Sequence, residues 1–280
     1  MLHVESFGDR YAIAAGAPRV GRHPLLEAAI EAFPPFGDVG IEVTVRSSVP
    51  PGCGVGTSAA VAVALVGALA AVRGETTVPR DVAYTAHQLE VDTLGESGIQ
   101  DQLSTAMGGI NYLEIDAYPQ ASVHAMPAWE DLDDRLTLVF VGRAHNSSDL
   151  HRQVIEHLKT RESDAFGRLR AAATAARDAV LVADLTAFGR AMIENTEAQR
   201  SLHPMLVGTD AETVMAIASA HGALGWKVNG AGGDGGSVTV LSATKRGKED
   251  FESRIAASNP NYRVLPVRIS SAGVQASGTL

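Results

Sequence analysis

The 280-residue chain has a single cysteine, Cys53. No intramolecular disulfide can form, which excludes a disulfide scaffold and fits a reducing compartment. A basic excess is missing too: 23 Lys and Arg stand against 32 Asp and Glu, for a formal net charge of -9. That balance argues against a broad surface for nucleic acid or anionic membrane, though it permits a local basic pocket. The opening, MLHVESFGDR, lacks the basic-then-apolar pattern of a secretory leader. The longest uncharged run, 49–72, starts with Gly, Pro, Ser and Thr, and its helical part is too short and Ala-rich to span a bilayer. A cytoplasmic protein is therefore expected. The nine histidines show no H-E-x-x-H, and paired cysteine spacing is impossible, which removes the usual zinc patterns. The chain carries no internal repeat and no low-complexity linker.

Apolar residues make up 45% and charged residues 20%, as in ordinary globular proteins, over a length that suits one large domain or two small ones. Residues 41–49 alternate apolar and polar and read as a strand, stopped by Pro50-Pro51. Helices are expected over about 58–72, 77–93, 100–106, 148–158, 164–182, 184–198 and 248–258. INYLEI and ASVHAM read as paired strands, LTLVFVG as a buried strand, GWKV and SVTVL as strands around a glycine loop, and YRVLPVRI as a final strand. The mixture lacks a regular βαβα alternation, which predicts an α+β fold with two subdomains. An acidic, turn-rich stretch at 127–134 places the boundary, giving domains 1–130 and 131–280.

PPGCGVGTSAA covers Pro51, Gly52, Cys53, Gly54, Val55, Gly56, Thr57 and Ser58, directly before the apolar helix. Glycines at a helix start let backbone N–H groups approach a ligand, and the helix dipole adds partial positive charge there. Such a loop can cradle phosphates, with Ser58 as helix cap or magnesium ligand. A Walker A loop is excluded because no Lys precedes Thr57 or Ser58, and a nucleophile elbow because GTSAA lacks the closing glycine. G-C-G-V-G does not match the Rossmann fingerprint. A tight turn with a capping Ser remains open. The second cluster, GAGGDGG at 230–236, matches G-x-G-x-x-G, but a strand follows it where a Rossmann unit needs a helix. Two glycine loops with acids between them predict a nucleotide site built from both halves of the chain.

Glu90, late on a helix, and Asp101, after a glycine turn, are the acid candidates. Phosphoryl transfer needs a metal ligand and a group that orients or deprotonates the attacking hydroxyl, and carboxylates suit both tasks. Equally, both could be ordinary helix acids, since the dipole favours Asp at a helix start. At this point PPGCGVGTSAA resembles the second signature motif of the GHMP kinase superfamily, which includes galactokinase, homoserine kinase and mevalonate kinase. KVNGAGGDGGSVTVL resembles its third motif. ESGIQDQLSTAMGGINYLE and VGRAHNSSDLH are similar to the sugar-kinase branch with D-glycero-D-manno-heptose 7-phosphate kinases. The resemblance spans about 36–280.

That resemblance implies an N-terminal domain like ribosomal protein S5 domain 2 and a ferredoxin-like C-terminal domain. It implies ATP and Mg2+ as cofactors and a sugar or sugar phosphate as acceptor, with no nucleic-acid or membrane partner; a homodimer is compatible with it. Pro51 to Thr57 would wrap the ATP phosphates, with Gly230, Ala231, Gly232 and Gly233 walling phosphates and acceptor. Ser58 and Glu90 would hold the metal, and Asp101 would act on the acceptor hydroxyl. Other acceptors, mevalonate-like or an amino-acid hydroxyl, and a non-catalytic binding homologue stand as alternatives. Two departures are visible. Asp234 interrupts the third-motif glycines, so its carboxylate is expected to point away from phosphates. Met1 to Val49 lacks the family's first motif, and the loss of about fifty residues with a strand would open a sheet edge. A start placed too far downstream is the expected explanation, beside a fragment or a degenerate homologue.

Arg143, His145 and Ser147 follow a strand end, a common place for ligand contacts, and Arg143 could grip a substrate phosphate bidentately. Cys53 has no evident His partner to activate it. Lys227 reads as structural.

Overall fold

The computed structural model describes residues 1–14, 19–34, 40–95, 97–144, 154 and 164–277. They divide into two units. The first is Met1–Pro50, Gly56–Ala125 and Ser270–Leu280; the second is Pro51–Val55 and Met126–Ile269.

In the first unit, β1 (Leu2–Val4) pairs antiparallel with β2 (Asp9–Tyr11) and parallel with β3 (Val43–Val45). The chain between β2 and β3 carries α1 (Pro24–Ala32), opened by a proline whose missing N–H costs a helix start nothing. Sequence reasoning finds only the strand around 41–49, and it extends that strand too far. Three-residue strands are too short to show an alternation, and α1 has no Ser, Thr or Asp cap to announce it. Leu2 and Val4 pack with Leu26, Ala29, Leu65 and Leu69.

The uncharged helix α2 (Thr57–Val72) is apolar on most sides and is buried accordingly. It packs with α3 (Pro79–Leu94) and α4 (Gln100–Met107) through Ala62, Val63, Val66, Val82, Ala86, Ile99 and Leu103. Proline opens α3 and Gly95 closes it with φ 81°, so α3 starts and stops where its letters say. The expected pair β4 (Asn111–Ala117) and β5 (Gln120–Ala125) forms an antiparallel hairpin turning at Tyr118-Pro119. The C-terminal segment joins this unit: Ser270 O accepts from Gly109 N at 2.6 Å, and Ala106 O accepts from Val274 N at 3.0 Å.

In the second unit a short helix, α5 (Glu130–Asp133), precedes the buried strand β6 (Leu136–Phe140). Then come α6 (Ala165–Leu181), α7 (Leu185–Leu202), α8 (Thr209–Ala220), β7 (Ala223–Val228), β8 (Ser237–Ser242), α9 (Lys245–Ser258) and β9 (Arg263–Leu265). The sheet order is β7-β8-β6-β9 with every pair antiparallel. Helices between β6 and β7 and between β8 and β9 make this the ferredoxin-like β-α-β-β-α-β arrangement. Val139, Val214, Val238, Val240, Phe251 and Ile255 form its core. The final strand is shorter than expected because Pro266 cannot donate to a ladder. Helix α8 is not expected from the sequence. The helix expected over 148–158 lies outside the described residues, Val154 excepted. Among the described residues, no helix is long and apolar enough to cross a membrane.

Candidate active site

Four oxygen-bearing side chains, Thr57, Ser58, Glu90 and Asp101, lie at the start of α2. Gly56 is its N-cap, in the left-handed region (φ 69°, ψ 25°), and supplies no side-chain cap. The Thr57 hydroxyl is buried without a hydrogen-bond partner. A Cβ on Gly56 would lie 3.0 Å from both Cγ and Oδ2 of Asp101, so the Asp101 carboxyl rests against the glycine backbone. Only a residue without a side chain fits there. Asp101 itself is exposed in the first turn of α4.

Ser58 Oγ donates to Glu90 Oε1 at 2.5 Å. Glu90, buried on α3, takes two further donors on its other oxygen: Ser97 Oγ at 2.6 Å and Gln102 Nε2 at 2.5 Å. Ser97 is pinned in turn, since its carbonyl accepts from the Tyr118 hydroxyl at 2.7 Å, and that hydroxyl meets His87 Nε2 at 2.7 Å. The hairpin turn between β4 and β5 thus reaches back to the loop that restrains Glu90. Ser58, Glu90 and Asp101 are the residues that motif and spacing single out. Ser97, Gln102, Tyr118 and His87 escape sequence reasoning, and the only trace of Gln102 is a polar residue on the same helix face as Leu103 and Ala106.

Ser58 and Glu90 present hard oxygen donors beside an unpartnered hydroxyl. That set fits Mg2+, which prefers a few protein oxygens together with substrate phosphates. Among the described residues, no group of three or more His, Cys, Asp and Glu could hold a metal ion alone.

Within the second unit, Pro51–Val55 packs on the second glycine loop. Gly52 and Gly54 both have positive φ, 71° and 78°. Cys53 O accepts from Ser237 Oγ at 2.6 Å, and a Cβ on Gly230 would stand 3.0 Å from Gly54 O. Gln199 Nε2 donates to Gly230 O at 3.0 Å, and Gly233 N donates to Leu206 O at 3.0 Å. A Cβ on Gly232 would collide with Leu206 O, while Ala231 packs against the cluster of Leu202 and Leu206. Asn229 Nδ2 donates to Ser237 Oγ and Thr239 Oγ1, both at 2.9 Å, closing the loop's base.

Asp234 turns to the start of α8. Its Oδ1 lies 2.7 Å from where a Cβ on Gly208 would be, and Gly208 is that helix's N-cap. A carboxylate is favourable at that pole of the helix. Arg143 is engaged nearby: it pairs with Asp210, which also accepts from the Tyr262 hydroxyl at 2.8 Å. The Asp210 hydrogen bond raises the Arg143 pKa, with Asp234 adding to it. A substrate phosphate at Arg143 would have to compete with Asp210. His145 and Ser147 lie outside the described residues. Lys227 Nζ donates to Val228 O at 2.9 Å. Cys53 is fully buried, and burial pushes its thiol pKa up against the opposing hydrogen bonding of Ser237, the wrong direction for a nucleophile.

Residues 24–109 match the family described as GHMP kinases N terminal domain. The chain is 28% identical over 243 residues to a mevalonate kinase of Methanothermobacter thermautotrophicus, covering 84% of this chain and 73% of that one. It is 24% identical over 210 residues to the D-glycero-alpha-D-manno-heptose 7-phosphate kinase of Campylobacter jejuni, covering 71% of this chain and 61% of that one. Its fold superposes on the mevalonate kinase of Methanococcus jannaschii with a TM-score of 0.75 at 17% identity, over 94% of this chain and 82% of the other. The stretch 24–109 thus matches the GHMP kinase N-terminal domain, and the two-part α+β fold is one that this chain shares with solved mevalonate kinases.

Proposed function

We propose that this chain transfers the γ-phosphoryl group of ATP to a hydroxyl of a small metabolite, a sugar or sugar phosphate of the heptose 7-phosphate kind. The observation that carries the reading is the Ser58–Glu90 hydrogen bond at the start of α2, with Asp101 against Gly56 in the same helix turn. Gly56 and Thr57 offer backbone N–H groups to the phosphates at a helix pole that no side chain caps. Ser58 and Glu90 hold Mg2+, which neutralises charge on the phosphates when bound. Asp101 takes the proton of the acceptor hydroxyl as the oxygen–phosphorus bond forms and ADP leaves. Gly230 to Gly233 shape the loop on which Pro51–Val55 rests.

Replacing Asp101 with Asn tests the assignment. Turnover is expected to fall at least about 100-fold, in line with general-base loss, while ATP binding by calorimetry persists. Unchanged turnover removes Asp101 from the chemistry. A mevalonate-like acceptor is the second reading, favoured by the archaeal mevalonate kinases among the relatives. ATP consumption with heptose 7-phosphate, free sugars, mevalonate and homoserine separates the two. A chain that binds ATP yet consumes it with none of them would be a binding protein.

A further inference from the structure

Gln102 is buried, with 1% of its surface exposed, and stands one residue beyond Asp101 on α4. Its Nε2 lies 2.5 Å from Glu90 Oε2 and 3.1 Å from Ser97 Oγ. Its Oε1 is buried with no hydrogen-bond partner. Turning the amide over would aim Oε1 at the carboxylate, so the donor side is fixed by charge. A buried amide with an unsatisfied oxygen is poorer packing material than leucine or methionine at the same place. Its contribution therefore lies in what the donor does.

We propose that Gln102 is a positioning residue for Glu90, and that it sets the affinity of the site for a divalent cation. This rests on the reading of Ser58 and Glu90 as the cation's protein ligands. Gln102 and Ser97 occupy Oε2, so Oε1 is the oxygen turned to Ser58. The helix that carries Asp101 thereby also orients Glu90 on α3. Outer hydrogen bonds of this sort are worth roughly tenfold or more in metal affinity.

The test uses the full chain with a non-hydrolysable ATP analogue and Mn2+ followed by electron paramagnetic resonance. Gln102→Met is expected to weaken Mn2+ binding about tenfold, with metal-free nucleotide affinity unchanged. Unchanged Mn2+ affinity in folded Gln102→Met overturns the proposal. A measurement on the unaltered chain guards against a variant that does not fold. With glutamine labelled by 15N, the Gln102 side-chain amide signal is expected to shift on adding Mg2+ with nucleotide, and a signal that stays put overturns the proposal. Glu90→Gln separates the two levels. If it binds Mn2+ normally, the metal reading falls and the inference falls with it. If it loses Mn2+ while Gln102→Met does not, the inference alone falls.

Discussion

Glu27 is a carboxylate buried to 1% exposure in the first turn of α1. Four donors converge on it: the Tyr11 hydroxyl at 2.7 Å and the backbone N–H groups of Gly21, Arg22 and His23 at 2.8, 3.1 and 3.2 Å. Burial alone pushes this carboxyl up, but the donors, led by Gly21 N–H, together outweigh it and hold the pKa below the ordinary 4.5. Burial and the Glu27 bond raise Tyr11 in turn, which keeps its hydroxyl a donor. A carboxyl whose folded pKa is depressed stabilises the fold above its unfolded pKa, and that stability is lost as pH falls through the folded value. Glu27→Gln turns an NH2 toward the donors and is expected to cost roughly 1–3 kcal/mol at pH 7. Its unfolding free energy should also flatten below about pH 5, where the parent loses stability. Urea unfolding of both chains from pH 3 to 7 checks this, and parallel curves refute it. Glu27 is invisible to motif reading because its partners lie in a loop and on another strand. Ser58, Glu90 and Asp101 are legible because chemistry demands such oxygens near a glycine loop, whereas a glutamine such as Gln102 reads equally well as solvated.

At the scale of elements, α2 is defined by the loop before it. Gly56 and Gly74 both have φ 69°, one at each end of the helix, and they differ in surroundings. A Cβ on Gly74 meets nothing within 4 Å, while one on Gly56 meets the Asp101 carboxyl. Alanine at either position bears the left-handed penalty of roughly 1–2 kcal/mol. Only Gly56→Ala should also displace Asp101, lowering kcat by about tenfold or more, since small misplacements of reacting groups are costly. Paired unfolding and turnover measurements on the two variants check this, and equal kcat values would refute it. Helices α2, α3 and α4 and the β7–loop–β8 run are legible from apolar runs, prolines and glycines. The strands β1 and β2 are not, since three residues cannot display a period of two and their pairing partners lie far along the chain.

At the scale of the molecule, the chain leaves and re-enters its first unit twice, at Pro51–Val55 and again over Met126–Ile269. The returning segment interlocks with the end of α4. A Cβ on Gly108 would strike Gly273 N, and one on Gly273 would strike Ala106 O, so two glycine backbones cross with no room for a side chain. Val274 meanwhile packs its methyl against Gly67 of α2. Gly273→Ala is expected to unseat this segment and remove roughly 1–3 kcal/mol, the net value of two lost hydrogen bonds. Removal of 270–277 should cost a similar amount. Hydrogen exchange at Gly109 and Val274 follows the same event, and protected amides in Gly273→Ala would refute it. The two-part α+β reading comes from a mixed run of strands and helices, but this return is not legible, because SAGVQ carries no periodic signal of its own. Its consequence is genetic as much as structural. A gene cut after codon 125 would encode a first unit without its last strip, so that unit is not a cassette that recombination can move as one uninterrupted piece.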